Sequence, residues 1–370
     1  MFTKGLQEYS NIHVFANLAS LGEANLKYET TRQWEIQIYG EATKVSVTYL
    51  PCKKILGEYV VSPVDLCHAL NNYSPDLVWT NSPSVTSDIA QTYAILNGIP
   101  WVTTYHADSG PAWYGLVYSH LEAVLLRFAT RIMVHSERYR KKLLRRGIRK
   151  EKIYIAPVAP YLAGFQPTST VPDPQVCNPE RKDAFLFVGV LDDAHKYKRP
   201  ELLIQALANL RQLGTVVQLR IVGDGNCKDS LQRSTERLGV SQQVAFLGTL
   251  SPADLAREFQ TAQGLVICSD SESEGYGIVA VEAMYYGLPV IVPKIVPVSE
   301  MVQRLGAGIV YDSSDANGLS SALLRLCGNE TLRAACQRAA RSSANELDWR
   351  KSIMPQQINP ILSILCQKRS

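Results

Sequence analysis

Residues 269–292 read SDSESEGYGIVAVEAMYYGLPVIV and carry two carboxylates, Glu274 and Glu282, with seven residues between them. Glu274 stands in a polar loop after an apolar run, and Glu282 stands in the helix that this loop opens. Between them Gly275-Tyr276-Gly277 forms a turn whose backbone N–H groups face the helix N-terminus. Unpaired amides and the helix dipole both favour anions there, so such a turn can hold phosphate oxygens. Glu282 is set in Ala280-Val281-Glu282-Ala283-Met284, where a carboxylate without a partner is costly. It calls for hydrogen-bond donors, and sugar hydroxyls would serve. The plain alternative is a salt-bridged helix Glu beside a solvated loop Glu.

Other residues fit the same chemistry. Lys198 falls just after a strand end and just before a helix, so its ammonium can reach an anion in such a loop. His106 follows the strand Trp101–Thr104 close to Asp108, a position that suits either a structural or a site histidine. No Asp-x-Asp pair offers to hold Mg2+ or Mn2+, consistent with a metal-free site, and no cofactor is expected. The eight cysteines are scattered, with neither a zinc pattern nor a disulfide framework. They read as reduced thiols of a cytosolic protein, with Cys268 as core filler.

The chain has 38 basic and 34 acidic residues, a formal +4. The segment Arg138 to Lys152 alone holds nine basic residues and one acidic residue, and without it the balance would be −4. Ser136 can cap this helix and Gly147 can end it, with Tyr139 and Leu143 as a narrow apolar stripe. It reads as a solvated rim, as a patch for an anionic membrane surface, or as an electrostatic lure for an anionic donor or acceptor. Nucleic acid is disfavoured, because one basic helix without aromatic platforms is a poor match to any module.

The elements that must position these residues alternate as parallel α/β units do. At 370 residues, 46% hydrophobic and 19% charged, the chain suits two soluble domains. No run approaches the roughly 18 apolar residues of a spanning helix, and the N-terminus is too polar for a secretory signal. Strands are expected at Ile12–Ala16, Val45–Leu50, Leu77–Thr80, Trp101–Thr104 and Arg131–His135, with helices at Ser87–Leu96 and Tyr118–Phe128. Gln166 to Lys182, with four prolines, reads as a linker. Beyond it strands are expected at Ala184–Val190, Gln218–Val222, Val244–Leu247, Gly264–Cys268 and Pro289–Val292. Helices are expected at Pro200–Leu213, Asp229–Leu238, Pro252–Thr261, Ile278–Tyr286 and Ala316–Cys327.

Taken with FVGVLDDAHKYKRPELLIQAL (187–207), LRIVGDG (219–225), VAFLGTL (244–250), NGIPWVTTYHAD (97–108) and RIMVHSERY (131–139), the Glu-x7-Glu segment resembles the retaining, metal-independent group 1 glycosyltransferases of the GT-B fold. The resemblance implies two Rossmann-like, doubly wound domains facing a cleft. Residues 1–165 would form the acceptor side and 183–347 the nucleotide-sugar domain, with 348–370 crossing back as a terminal helix. It implies that Glu274 contacts the transferred sugar and Glu282 the donor ribose. The amides of Gly275, Tyr276 and Gly277 would face the sugar or diphosphate, and Lys198 would bind phosphate. Gly223, Asp224 and the backbone at Phe246 and Leu247 would line the nucleotide, and His106 would stand near the reacting carbon.

The activity so implied is transfer of a hexose from a UDP- or GDP-linked donor to a hydroxyl acceptor such as a growing glycan or lipid. The setting would be cytoplasmic or peripheral at the inner membrane face. Two departures stand out. Val190 occupies the place of a family arginine, which Lys196 or Arg199 could replace only in part. No strand and Gly-rich loop precede Ile12–Ala16, so either the true start lies upstream or the first domain is shortened. The second departure motivates an alternative: a non-catalytic or partner-dependent sugar-nucleotide-binding protein. A dehydrogenase is disfavoured, since no Gly-x-Gly-x-x-Gly opens a strand–helix unit.

Overall fold

A computed structural model describes residues 13–17, 30–38, 41–50, 52–55, 58–81, 84–105, 122–156, 158, 184–271, 274–312, 315–347, 356–357, 359–361 and 363–364. The chain forms two compact units, the first from residues 1–134, 139–155 and 357–370, the second from 135–138 and 156–356.

In the first unit β1 (His13–Asn17), β2 (Thr30–Ile38) and β3 (Glu41–Leu50) form a sheet in the order β1-β3-β2. β1 runs parallel to β3 from His13 opposite Ser46 to Asn17 opposite Leu50. β2 runs antiparallel to β3 from Thr30 opposite Tyr49 to Ile38 opposite Glu41. The expected run of parallel strands therefore needs correcting here. Trp34, Ile36 and Ile38 alternate with Gln33, Glu35 and Gln37, which is the period-two signal of a strand. β4 (Cys52–Ile55) and β5 (Glu58–Val61) make a separate antiparallel ribbon.

The rest of this unit is α/β. α1 (Pro63–Tyr73) starts on Ser62, whose hydroxyl accepts the Asp65 N–H, with Pro63 at the first helical position; both are N-terminal signals. After it come β6 (Val78–Asn81), α2 (Val85–Leu96), β7 (Trp101–Tyr105), β8 (Arg131–Val134), α3 (Glu137–Arg145) and β9 (Ile153–Ile155). The four strands form a parallel sheet in the order β6-β7-β8-β9. Trp101, Tyr105, Ile132, Tyr139 and Leu143 fill its core. The Trp101 indole Nε1–H is satisfied by Thr80 Oγ1 at 3.0 Å. Ile361 and Ile364 join Val102 in a small buried cluster.

In the second unit β10 (Ala184–Val188), α4 (Pro200–Gln212), β11 (Gln218–Val222), α5 (Lys228–Arg237), β12 (Val244–Gly248) and α6 (Pro252–Thr261) come first. Then follow β13 (Gly264–Val266), α7 (Ile278–Tyr285), β14 (Val290–Pro293), α8 (Val298–Leu305), β15 (Gly308–Tyr311), α9 (Ala316–Cys327) and α10 (Glu330–Ser342). All six strands are parallel, in the order β12-β11-β10-β13-β14-β15. That is the doubly wound order, in which the direction of winding reverses between β10 and β13.

Sheets covered on both faces need apolar side chains pointing both ways, which gives unbroken runs. Phe185, Phe187, Leu219, Ile221, Val266 and Ile291 face one layer of helices. Leu186, Val222, Leu265, Val290 and Val292 face the other. One charge interrupts β11. Arg220 is buried and pairs through Nη1 with Glu258 of α6 at 2.6 Å, while its Nε and Nη2 find no partner among the described residues. Removing one member of a buried pair strands the other, whereas replacing both with apolar residues does not. Glu258→Ala should therefore lower unfolding free energy by about 3 kcal/mol in urea titrations, and Arg220→Met with Glu258→Leu should recover most of that loss.

Candidate functional site

Where the strand order reverses, the loops after β10 and β13 leave the sheet toward opposite faces and open a crevice at its carboxyl edge. Lys198 comes from the first loop and Glu274 from the second. Asp192 starts the first loop's turn by accepting the His195 N–H at 2.9 Å, and Lys196 pairs with Asp193 at 2.8 Å. Arg199 then takes a left-handed conformation, φ 49° and ψ 46°, and Pro200 begins α4. This turn aims Lys198 across the crevice, where its Nζ donates to both Glu274 oxygens at 2.9 Å. Glu274 also accepts the Ser269 hydroxyl at 2.7 Å. The pair is largely enclosed, with side chains 17% and 6% exposed.

The two loops are joined at three further points. The Asp270 N–H donates to the Tyr197 carbonyl at 3.2 Å. Cys268 Sγ lies 3.1 Å from the Lys198 and Arg199 carbonyl oxygens; burial pushes its pKa well up, so it stays a thiol and can donate. The Arg199 guanidinium bonds the carboxylates of Asp270 and Glu201. Lys196 and Arg199, which could replace the family arginine only in part, are both paired with acidic neighbours in this structure.

Beside Lys198, glycines let the backbone close up. A Cβ at Gly223, φ 134°, would lie 1.9 Å from the Gly189 carbonyl oxygen, and one at Gly189 would lie 2.9 Å from Lys198 Cδ. The Gly223 N–H donates to the Gly248 carbonyl at 2.8 Å, so the ends of β10, β11 and β12 meet there. Asp224 follows, its pKa held low first by the Gly225 N–H and then by Lys228. Phe246 and Leu247 point to opposite faces and pack on the two core layers, which leaves their backbone at the edge strand.

The turn before α7 is shaped as its glycines suggest. Gly277 caps the helix at φ 87°, where a Cβ would press within 2.9 Å of Val298. Tyr276 between the glycines is a packing residue in its side chain. It is buried, its ring meets His135 edge-on at 5.9 Å, and burial pushes its hydroxyl pKa up. Glu282 is buried in the second turn of α7. His106, the segment 166–182 and Asp348-Trp349-Arg350 lie outside the described residues. Among the described residues, no group of three or more His, Cys, Asp or Glu side chains could hold a metal ion.

The family described as glycosyl transferases group 1 matches residues 173–343, which span this site, and the glycosyl transferase 4-like domain matches residues 26–159. The chain belongs to the group 1 glycosyltransferases. A D-inositol 3-phosphate glycosyltransferase of Corynebacterium jeikeium is 30% identical over 181 residues, 47% of this chain and 42% of the relative. A phosphatidyl-myo-inositol mannosyltransferase of Mycobacterium leprae is 29% identical over 201 residues, 54% of this chain and 48% of the relative. The match thus spans less than half of either relative.

Among solved structures, Anabaena HepE in complex with UDP superposes with a TM-score of 0.67 at 21% identity, covering 86% of each chain. Sucrose-phosphate synthase from Thermosynechococcus elongatus gives 0.66 at 20% identity, covering 87% of this chain and 84% of that one. The fold is accordingly of the GT-B type, with two Rossmann-like α/β units.

Within this group 1 glycosyltransferase, Lys198 and Glu274, both singled out in the sequence, come together, whereas the residues that hold them were not singled out. Ser269 and Asp270 are the first polar residues after the apolar run of β13, and that position was their only signal. His135 was read as the end of a strand. Burial lowers its pKa from 6.5, against the opposing effect of the Ala156 carbonyl, 2.8 Å from Nδ1. A histidine held neutral in the fold binds its proton more readily when unfolded, so stability is complete above that value and falls as the pH drops below 6.5. Urea unfolding at pH 7.5 and pH 5.5 should show this loss, and His135→Gln should reduce it.

Proposed function

We propose that this chain transfers a hexose from a UDP- or GDP-linked donor to a hydroxyl acceptor on a glycan or lipid, with retention of anomeric configuration and without a metal. The observation that carries this reading is the Lys198–Glu274–Ser269 cluster at the reversal of strand order, next to the close-packed backbone of Gly189 and Gly223. A cation and a carboxylate side by side suit a ligand with a phosphate at one end and hydroxyls at the other. The relatives named for transfer to inositol phosphate or phosphatidylinositol, and the neighbour solved with UDP, support the same class.

As the glycosidic bond breaks, negative charge grows on the departing diphosphate. In this reading Lys198 meets that charge and the amides around Gly275 and Gly277 assist, since oriented dipoles in a dry site need no reorganisation. Glu274 accepts hydrogen bonds from the sugar and Glu282 from the ribose. The acceptor's proton passes to the leaving phosphate on the same face of the ring.

A thermal-shift screen over nucleotide sugars tests the donor class, because a ligand that binds the folded form raises Tm. With the donor so found, Glu274→Ala should lower turnover by at least about a hundredfold. Glu282→Gln should weaken nucleotide binding by about tenfold in calorimetry. The product's anomeric proton, read by NMR with chelator present, reports both retention and metal independence.

The basic segment adds a surface reading. Tyr139 and Leu143 are buried in the first unit's core, and Arg146 turns toward Glu122 and Tyr105. Lys141, Leu144, Arg145 and Phe128 are exposed, a mixture that suits an anionic membrane. Vesicles containing phosphatidylglycerol should sediment the protein, and Lys141→Glu with Arg145→Glu should release it.

A further inference from the structure

Lys198 gives two of its three N–H donors to Glu274, one to each oxygen at 2.9 Å. A phosphate that needs this ammonium therefore meets a carboxylate already on it. We propose that Glu274 is an internal competitor for the anion position at Lys198. Binding a nucleoside diphosphate exchanges the carboxylate for phosphate oxygens and frees Glu274 toward the sugar. The inference rests on the preceding reading, in which Lys198 takes the diphosphate.

The surroundings suit an exchange. Ser269 remains on Glu274 at 2.7 Å when the lysine leaves, so the carboxylate keeps a donor. The lysine stem lies against Gly189, which has no side chain to crowd it, and its Nζ lies 5.4 Å from the centre of the Tyr197 ring. Of the neighbouring cations, Lys196 lies out in solvent on Asp193 and Arg199 is held by two carboxylates, Asp270 and Glu201. Lys198 is the enclosed one and has a single carboxylate to leave. A bare nucleoside diphosphate leaves the freed Glu274 with Ser269 alone, whereas a nucleotide sugar brings hydroxyl donors for it. Glu274 therefore favours the sugar-bearing donor over the spent nucleotide.

The test has an unusual sign, because losing a site residue tightens a ligand. By calorimetry with UDP and with GDP, Glu274→Gln should bind whichever nucleotide the parent binds about tenfold more tightly, as loss of one charge-assisted pair implies. Glu274→Ala should shift the same way, with folding of both variants checked by circular dichroism. The gain should vanish in the Lys198→Ala background. Unchanged or weaker binding by both variants, with the parent binding normally, overturns the competition and leaves the donor reading intact. A gain that survives Lys198→Ala also overturns it. If neither the parent nor the variants bind UDP or GDP, both this inference and the reading beneath it fall.

Discussion

The Lys198–Glu274 ion pair spans the one place in the second unit where the sheet itself cannot hold two loops together. β10 and β13 are neighbours, yet their chains leave toward opposite faces because the strand order reverses between them. Without ties across the crevice, each loop would answer only to its own strand and helix. The ties are the ion pair, the Asp270 amide on Tyr197, the Cys268 thiol on the next two carbonyls and the Arg199–Asp270 bridge. The Lys198–Glu274 pair is largely shielded from water, and a charge-assisted bond so enclosed is stronger than a surface pair, which contributes little. Geometry at the site thus follows from topology plus four cross-links.

What the residues alone disclosed, and what they did not, follows from the same physics. Strands of a doubly covered parallel sheet are apolar on both faces, so AFLFV, GLV and VIVP stand out without any partner being known. The site motif was legible because glycine turns and a carboxylate in an apolar helix are unusual locally. β2 went unread although it alternates, since a strand paired antiparallel with the next looks out of place in a βα pattern. β15, four residues at the sheet edge, is too short to announce itself. Ser269 and Arg199 were present in the text, but their pairings cross 5 and 71 residues, and side-chain charge carries no record of which opposite charge it will meet.

Arg199 shows how the loop's shape is maintained. An L-residue in the left-handed region costs about 1–2 kcal/mol, and glycine would remove that cost. Arginine offsets it through two carboxylates, Asp270 and Glu201, and in doing so ties the start of α4 to the loop after β13. A glycine would relax the turn and untie the loops. Strain kept beside a site, where a side chain over-determines the backbone, is the expected pattern when position matters more than stability.

The charges around this loop settle how an anion can be held. Lys196, Lys198 and Arg199 face Asp192, Asp193, Glu201, Asp270 and Glu274, so the crevice is acidic on balance. A diphosphate gains nothing from the net field there, and long-range attraction would work against it. In the proposed reading its attraction comes from groups within hydrogen-bond reach: the lysine once it leaves Glu274, and backbone dipoles at the glycine turns and the α7 N-terminus. The chain's basic excess lies elsewhere, in Arg138 to Lys152. In the proposed reading, then, the acidic crevice discriminates by geometry, since an anion of the wrong shape meets the carboxylates without reaching the donors.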